Sequence, residues 1–229
     1  MIPAAGDPRS IEVRVLFADT ELVVVDKPAG IPSVPARTPF DPPCVATLLQ
    51  PDYGPLEAAH RLDRDMSGLL VLSRLPAARV ALGRAFEARA VRKRYEAIVE
   101  GELAAAAGEI HLPLAPDPWR PPRQRVDPIL GRIAITRWKL LARIAAAERP
   151  RSWLELEPVT GRAHQLRLQL AWLGAPIVGD ALYGRPRPRP AGERLALHAC
   201  WLRFPHPADG RPIEIASPSG FARETMAVI

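Results

Sequence analysis

The sequence predicts an α+β domain with a mixed, mainly antiparallel central β-sheet flanked by helices and loops. Segments with the alternating or β-branched pattern of strands outnumber helical segments, and the two kinds do not alternate as they do in parallel sheets. The chain has no glycine-rich phosphate loop and no dinucleotide-binding fingerprint. These observations favour an antiparallel sheet over a doubly wound nucleotide-binding fold.

The first part of the chain predicts a strand pair, a helix and a long loop. Residues 11–26 form two strands around a turn at 18–21, because the first half alternates apolar and charged residues and the second is a β-branched run. The prolines between 28 and 43 indicate an irregular connection. Residues 44–50 predict a short helix, and the turn-forming residues of 51–67 predict a loop.

The middle of the chain predicts strands around one helix. Residues 68–73 have the apolar composition of a buried strand. Pro76 suits the first turn of a helix, which continues over 77–90. Strands follow at 93–101 and 108–114.

The last part predicts one helix and several strands after an irregular stretch at 115–124. Thr160 can cap a helix that begins near Arg162 and ends at Gly174. The RPRPRP run at 185–190 predicts an extended basic surface segment. The remaining strands are predicted at 132–144, 152–157, 195–204 and 211–217.

Composition describes an ordinary globular protein. The 229 residues are 48% hydrophobic and 24% charged, and we predict a single domain over residues 1–229. No apolar run approaches the roughly 20 residues that cross a bilayer, and residues 1–10 lack the pattern of a secretory signal. The two cysteines cannot build a disulfide framework. We therefore expect a cytoplasmic protein that is not bound to a membrane.

The charge balance suggests a polyanionic partner. The formal net charge is +6 and the isoelectric point is about 10, and a basic domain attracts nucleic acid. Three of the 31 basic residues are lysines, and alanine and proline are also abundant, so the skew can equally reflect coding bias. Charge alone leaves both interpretations open.

The densest polar cluster is HRLDRDMSG at 60–68, directly before a predicted buried strand. Asp63 lies between Arg61 and Arg64, and nearby positive charge favours the ionised carboxylate. Such a carboxylate can act as a base, a nucleophile or a metal ligand. The alternative is a solvated turn with weak local ion pairs, and spacing alone favours that alternative.

A second cluster, TGRAHQLR, occupies residues 160–167. On the predicted helix, Arg162, Leu166 and Gln169 share one face, and Arg162 lies in the first turn, where backbone N–H groups favour anions. It could hold a carboxylate or a phosphate. The alternative is that Arg162 is a surface residue and the leucines of this helix are core.

The third feature is the run Lys93, Arg94, Tyr95 on a predicted strand. An aromatic ring beside cations can stack on a nucleic acid base while the cations meet phosphate, although such a tyrosine is more often sheet packing. The five histidines show no ligand-like spacing, so we expect no metal site. No serine nucleophile elbow is present.

Taken together and in order, these motifs resemble the RluA-type family of RNA pseudouridine synthases. The resemblance implies an isomerase on the pseudouridine synthase fold that converts a uridine in RNA to pseudouridine and needs no cofactor. The matching segments are VVVDKPAGIPSVPA at 23–36, HRLDRDMSGLLVLSR at 60–74, KRYEAIVEG at 93–101, EPVTGRAHQLRLQLAWLGAPIVGDALYG at 157–184 and LALHACWLRFPHP at 195–207.

The resemblance also implies roles for single residues. Asp63 corresponds to the nucleophile, Tyr95 to the tyrosine that stacks on the target base, and Arg162 to the arginine that pairs with the catalytic aspartate. Whether the aspartate attacks the base or the sugar stays open. Further substrate-binding residues are expected at Arg61, Leu166, His60, Arg64 and Lys93.

Three positions depart from the family pattern. Met66 stands where Thr is common, Ala163 replaces a small hydroxyl residue, and Gln169 replaces His. We expect them to change the hydrogen bonding around the site, because none of them is the proposed aspartate, tyrosine or arginine.

The subclass and the alternatives follow from the same motifs. About ten residues precede the first predicted strand, so we expect no N-terminal S4 domain; this short form resembles RluA-like members that act on a tRNA anticodon stem-loop and on 23S-type large-subunit rRNA. We expect a monomer. The alternatives are a non-catalytic RNA-binding or RNA-folding protein on the same fold and a hydrolase that uses Asp63 and Asp65 as paired carboxylates.

Overall fold

The computed structural model describes residues 12–35, 43–145, 149–186 and 193–221. The chain forms two compact units, the first from residues 1–92 and 201–217 and the second from residues 93–200 and 218–229. Within the described ranges, no helix is both long enough and apolar enough to cross a membrane.

The first unit is built on an antiparallel sheet in which β4 lies between β2 and β3, and β1 pairs with β2. Strands β2 and β4 are almost completely buried, as their apolar runs predict. In the same sheet, β11 pairs with the second half of β10. The elements are β1 (Arg14–Ala18), β2 (Leu22–Lys27), α1 (Val45–Tyr53), β3 (Glu57–Ala58), β4 (Ser67–Ser73), α2 (Pro76–Glu87), β10 (Leu197–Pro205, which continues from the second unit) and β11 (Pro212–Ala216).

Local chemistry explains two of these elements. The turn between β1 and β2 is closed by Asp19, whose Oδ1 accepts hydrogen bonds from the backbone N–H groups of Glu21 and Leu22, at 2.8 and 3.0 Å. Pro76 occupies the first turn of α2, as predicted. That helix buries its face at 78, 82 and 85, the spacing of one helical stripe.

The second unit contains one antiparallel sheet in the order β5-β9-β8-β6-β7. Helix α3 contacts β6, and its Leu166 and Leu170 are buried. The elements are β5 (Arg92–Glu100), β6 (Ala107–Pro116), β7 (Gln124–Val126), β8 (Arg132–Ile144), β9 (Arg151–Pro158) and α3 (Gln165–Trp172), followed by the first half of β10. The predicted α+β class with a mainly antiparallel sheet is confirmed.

The predicted start of the third helix is wrong. Helix α3 begins at Gln165, because the preceding His164 has a left-handed backbone with φ of 51° and interrupts the helical geometry. Thr160 does not cap the helix; its hydroxyl donates to Gln165 Oε1 at 2.8 Å. Arg162 therefore lies in the loop before α3 and shares no helix face with Leu166.

Two short strands were not predicted. The first is β3, within the predicted loop 51–67, and the second is β7, which begins at the end of the predicted irregular stretch. Both are too short to show a period of two, so only their ladders with β4 and β6 define them. Most of the predicted RPRPRP segment, residues 187–190, lies outside the described residues.

A buried ion pair anchors α3 in the second unit. Arg167 bonds through Nε to Asp180 Oδ2 at 2.9 Å and through a terminal nitrogen to Asp180 Oδ1 at 2.8 Å, and the two side chains are 3% and 0% exposed. Asp180 Oδ1 also accepts from the N–H groups of Leu182 and Tyr183. Burial acts to raise the pKa of Asp180, but these hydrogen bonds and the Arg167 charge outweigh it and hold the pKa below its usual value.

Candidate active site

In the first unit, Asp63 lies in the loop that leads into β4. The loop turns on a hydrogen bond from Met66 N–H to the carbonyl of Asp63, at 3.1 Å. Asp63 is half-buried, whereas Arg61, Arg64 and Asp65 are exposed. The sheet therefore presents this carboxylate at the start of a buried strand, as the sequence predicted.

Ser33 holds the residue before Asp63 at both of its backbone polar atoms. Its hydroxyl donates to the carbonyl of Leu62 at 2.8 Å and accepts from the N–H of Leu62 at 3.1 Å. Both residues are buried. A side chain that satisfies both backbone groups leaves the chain little freedom at the position next to Asp63.

Lys27 holds the residue after Asp63. Its Nζ donates to the carbonyls of Pro28, Ile31 and Arg64 at 2.9, 2.8 and 3.0 Å, and the residue is 0% exposed. Burial lowers the pKa of Lys27 to about 8, while the charges of Asp65 and Asp63 oppose that shift. The lysine is thus a cation close to the candidate nucleophile and a clamp on its loop.

Replacing Lys27 with Met is expected to lower the free energy of unfolding by about 1–3 kcal/mol, because buried carbonyl oxygens lose their donor. The pH dependence should change too. The pKa of Lys27 is about 8 when folded and 10.5 for an ordinary lysine, so between those pH values the unfolded chain binds more protons. Wild-type stability therefore receives a contribution that rises with pH, by up to about 1.4 kcal/mol per pH unit, which Lys27→Met lacks. Urea unfolding from pH 7 to 10.5 measures this difference, and parallel curves for the two proteins would contradict it.

Two other predicted residues of this loop make contacts within the first unit. His60 Nε2 accepts a hydrogen bond from the N–H of Val71 in β4 at 3.1 Å, and its ring packs on Phe86 with centroids 5.1 Å apart. Arg64 Nε donates to the carbonyl of Gly30 at 3.1 Å, and Gly30 N–H donates to the carbonyl of Arg64 at 2.8 Å. Both residues thus support the loop that carries Asp63.

In the second unit, Tyr95 and Lys93 lie on β5. Tyr95 is buried and pairs with Leu156 of β9. Lys93 is half-buried, and burial lowers its pKa. A Cβ atom added to Gly161 would lie 3.6 Å from Lys93 Nζ, so this lysine reaches the loop that contains Arg162.

Gln165 organises the loop that contains Arg162. Its Oε1 accepts from the Arg162 N–H at 3.0 Å and from the Thr160 hydroxyl at 2.8 Å. Its Nε2 donates to the carbonyl of Ile135 at 3.0 Å and to the hydroxyl of Thr136 at 2.9 Å, both on β8. One buried amide thus ties the loop to the sheet.

The side chain of Arg162 is only partly exposed, and its Nε is buried. Within the described part of the chain, that Nε–H has no hydrogen-bond partner. Because an unsatisfied buried donor costs free energy, it indicates a place where an acceptor binds.

The structure shows the contacts of Gln169 and the burial of Met66 and Ala163, the three residues that depart from the family pattern. Gln169 is buried, donates to the carbonyls of Ile110 and Ala134 at 3.2 and 2.9 Å, and accepts from Thr136 at 2.6 Å. It therefore joins α3 to β6 and β8. Met66 is buried and Ala163 is exposed.

The structure thus gathers the predicted residues in two groups, one in each unit. His60, Arg61, Asp63 and Arg64 share one loop of the first unit, and Lys93 and the Arg162 loop meet in the second unit, where Leu166 is buried on α3. Sequence reasoning assigned no role to the residues that hold these loops, which are Ser33, Lys27 and Gln165. A buried lysine in the KPAG segment is the least expected of them, since lysine is normally exposed.

The described residues include no cluster of three or more His, Cys, Asp or Glu side chains that could hold a metal ion. The groups that the two units do offer are a carboxylate on a rigid loop, a buried guanidinium donor and a buried tyrosine. A carboxylate can act as a nucleophile or base, and arginine and tyrosine can bind an anion and an aromatic base.

Comparison with known proteins finds matches to RNA pseudouridine synthases over most of the chain. The RNA pseudouridylate synthase family matches residues 21–172, a range that contains Asp63, Tyr95 and Arg162. The dual-specificity RNA pseudouridine synthase RluA of Haemophilus influenzae is 39% identical over 207 residues, which cover 90% of this chain and 93% of that protein. The protein of the same name from Escherichia coli K12 is 39% identical over 214 residues, which cover 93% and 96%.

A solved structure extends the likeness to the fold. The human protein RNA pseudouridylate synthase domain containing 1 superposes with a TM-score of 0.80 at 26% identity, and the match covers 98% of this chain and 89% of that chain.

Proposed function

The chain belongs to the RNA pseudouridylate synthase family and is an RNA pseudouridine synthase, and we propose that Asp63 is its nucleophile. The reaction is an isomerisation: the bond between C1′ of the ribose and N1 of uracil breaks, and a bond between C1′ and C5 forms. The hydrogen of C5 leaves as a proton and N1 gains one, so atoms and electrons balance without a cofactor. The matches to RNA pseudouridine synthases do not favour the alternative of a non-catalytic RNA-binding protein.

The rigidity of the Asp63 loop is the observation that carries the proposal. Ser33 fixes the backbone of Leu62, and Lys27 holds the carbonyl of Arg64, so the chain is held on both sides of Asp63. A nucleophile gains most when its position is set before the substrate arrives.

Tyr95 and Arg162 are proposed as the other catalytic residues. A target base removed from its stack loses a few kcal/mol, and stacking on an aromatic ring such as that of Tyr95 recovers about 1–3 kcal/mol. The family resemblance makes Arg162 the partner of the catalytic aspartate. The buried Nε–H of Arg162, which has no acceptor among the described residues, is the kind of donor that this role needs.

The remaining predicted residues are proposed to bind the substrate. The exposed guanidinium groups of Arg61 and Arg64 suit phosphate contacts. His60 supports the loop that carries Asp63, and Lys93 reaches the loop that carries Arg162. Leu166 is proposed to make an apolar contact with the target base. These assignments rest on the family resemblance together with the position of each residue within its own unit.

We propose that the RNA substrate is a tRNA anticodon stem-loop, 23S-type rRNA, or both. The support is the similarity to relatives that are named dual-specificity enzymes. We place the reaction in the cytoplasm, where RNA substrates occur and where unpaired thiols such as Cys44 and Cys200 persist. We also propose that the enzyme acts as a monomer.

Tritium release from RNA labelled with 5-³H-uridine tests the activity and its substrate. Pseudouridine formation frees the hydrogen of C5, so each turnover releases one label. We expect release from tRNA transcripts, rRNA transcripts or both when they are incubated in parallel with the full chain. Binding of these RNAs without release from any of them would contradict the proposal.

A further inference from the structure

The second unit also has a basic cavity that contains none of the residues proposed for the active site. It has a volume of about 360 Å³ and is formed by the segment 117–126, the solvent side of α3, and residues 182–184. The helix contributes Leu168, Ala171 and Trp172, which are only partly buried or exposed. Leu166 is buried and occupies another side of the same helix.

The cavity has three arginines, and one of them, Arg123, does not lie in an ion pair within the described residues. Arg125 bonds to Asp127 at 2.6 Å, and Arg120 lies 3.6 Å from Asp117. By contrast, Arg123 forms no ion pair with any residue of the described ranges. Its guanidinium carbon lies 5.7 Å from the centre of the Tyr183 ring, which holds the cation in place without neutralising it.

An exposed indole lies at the same cavity. Trp172 is 62% exposed at the end of α3, and Trp119, which belongs to the segment 117–126, is 84% exposed. Tryptophan is normally well buried, so two indoles this exposed on a basic surface indicate a binding function.

Two hydrogen bonds hold one wall of the cavity. The hydroxyl of Tyr183 accepts from the N–H of Gln124 at 2.7 Å and bonds to Nδ1 of His164 at 2.8 Å. The cavity wall is therefore tied to the residue that precedes α3. A wall that is held in place before the ligand arrives loses less entropy on binding.

We propose that this cavity binds an unpaired nucleotide of the RNA substrate other than the target uridine. Arg123 contacts a phosphate, and the base stacks on Trp172. A cation beside a stacking surface is the combination that single-stranded RNA requires, and a cavity that is open to solvent admits one nucleotide of a longer chain. The inference rests on the proposed function, since it assigns a second contact to the same RNA.

The test is RNA binding by the double variant Arg123→Gln with Trp172→Ala. Fluorescence anisotropy with a labelled tRNA anticodon stem-loop and a labelled large-subunit rRNA fragment measures Kd across salt concentrations. We expect Kd for the substrate RNA to rise at least about tenfold, from the loss of one stacked base and one phosphate contact. The slope of log Kd against log salt should fall by about 1, and kcat at saturating RNA should stay nearly unchanged.

A matched control is Lys139→Gln with Leu141→Ala. It removes one cation and one exposed apolar side chain from β8 of the same unit, where Leu141 is 41% exposed. We expect a change in Kd of less than about twofold, because neither residue lines the cavity and an exposed charge on its own contributes little. The single variant Trp172→Ala, at an exposed helix end, serves as a second test if the double variant has a lower Tm.

The outcomes separate the two proposals. A Kd for the double variant and for Trp172→Ala that matches the control overturns the cavity as a binding site. A loss of kcat with unchanged Kd also overturns it, because the residues would then act on catalysis or folding. Wild type that binds RNA but releases no tritium contradicts the proposed chemistry alone, and the Kd comparison still decides the cavity.

Discussion

The Asp63→Asn variant is expected to lose pseudouridine formation by more than about a thousandfold, the scale seen when an enzyme loses its nucleophile. Asparagine keeps the shape of the side chain, and the clamps from Ser33 and Lys27 act on backbone atoms of its neighbours. The loop should therefore keep its conformation while the anionic oxygen is removed. RNA affinity should stay the same or rise slightly, since one negative charge is lost. Tritium release and anisotropy on the same RNA measure the two quantities.

Asp65→Asn is the matched control for Asp63→Asn. Asp65 lies two residues further along the same loop and is exposed. Both variants remove one carboxylate charge near Lys27, so a general electrostatic effect should appear in both. We expect Asp65→Asn to retain activity within about threefold, because an exposed charge contributes little and water can replace it. Equal losses in the two variants would instead show that the reaction needs both carboxylates, and full activity of Asp63→Asn would exclude Asp63 as the nucleophile.

The Asp180→Asn variant is expected to lower the free energy of unfolding by about 3–5 kcal/mol, the cost of leaving a buried charge without its partner. Arg167 is 3% exposed, so water cannot replace the lost carboxylate. An amide oxygen can still accept from the N–H groups of Leu182 and Tyr183, so the loss reports mainly on Arg167. Urea unfolding at pH 7 measures it.

The pH dependence and a surface pair provide the controls. The pKa of Asp180 is held below 3.8 in the folded chain, so its stabilisation is complete above that pH and is lost as the pH falls through the folded pKa. The difference between wild type and Asp180→Asn should therefore shrink in acid. Glu109→Gln breaks the exposed 2.6 Å pair with Arg137 and should cost far less. A cost for Asp180→Asn as small as that of Glu109→Gln would show that the buried pair does not stabilise α3.

The strands could be predicted because burial leaves its pattern in the sequence. The β-branched run of β2 and the apolar run of β4 are buried on both faces, and the predicted strands at 93–101, 132–144 and 152–157 match β5, β8 and β9 within a few residues. Helix α2 begins at Pro76 because a local rule, proline in the first turn, also holds in the folded chain.

The start of α3 could not be predicted because a tertiary contact overrides the local signal. Thr160 has the residue type of a helix cap, but its hydroxyl takes part in a bond to Gln165 and accepts from the N–H of Ile135 on β8. His164 then adopts a left-handed backbone and bonds to Tyr183, nineteen residues further along the chain. These contacts move the helix start three residues past Arg162 and leave that arginine in a loop.

The sequence by itself determined the fold class, the family and the choice of Asp63, Tyr95 and Arg162 as candidate residues, because those depend on residue identities in a fixed order. Only the tertiary structure decided what holds these positions. Lys27 is buried by contacts with three carbonyls, one of them 37 residues away, and Ser33 meets Leu62 29 residues away. Hydrogen bonds of this kind leave no pattern in the sequence, because every residue has a backbone carbonyl. Only folding determines which carbonyls lie close to the ammonium group of Lys27.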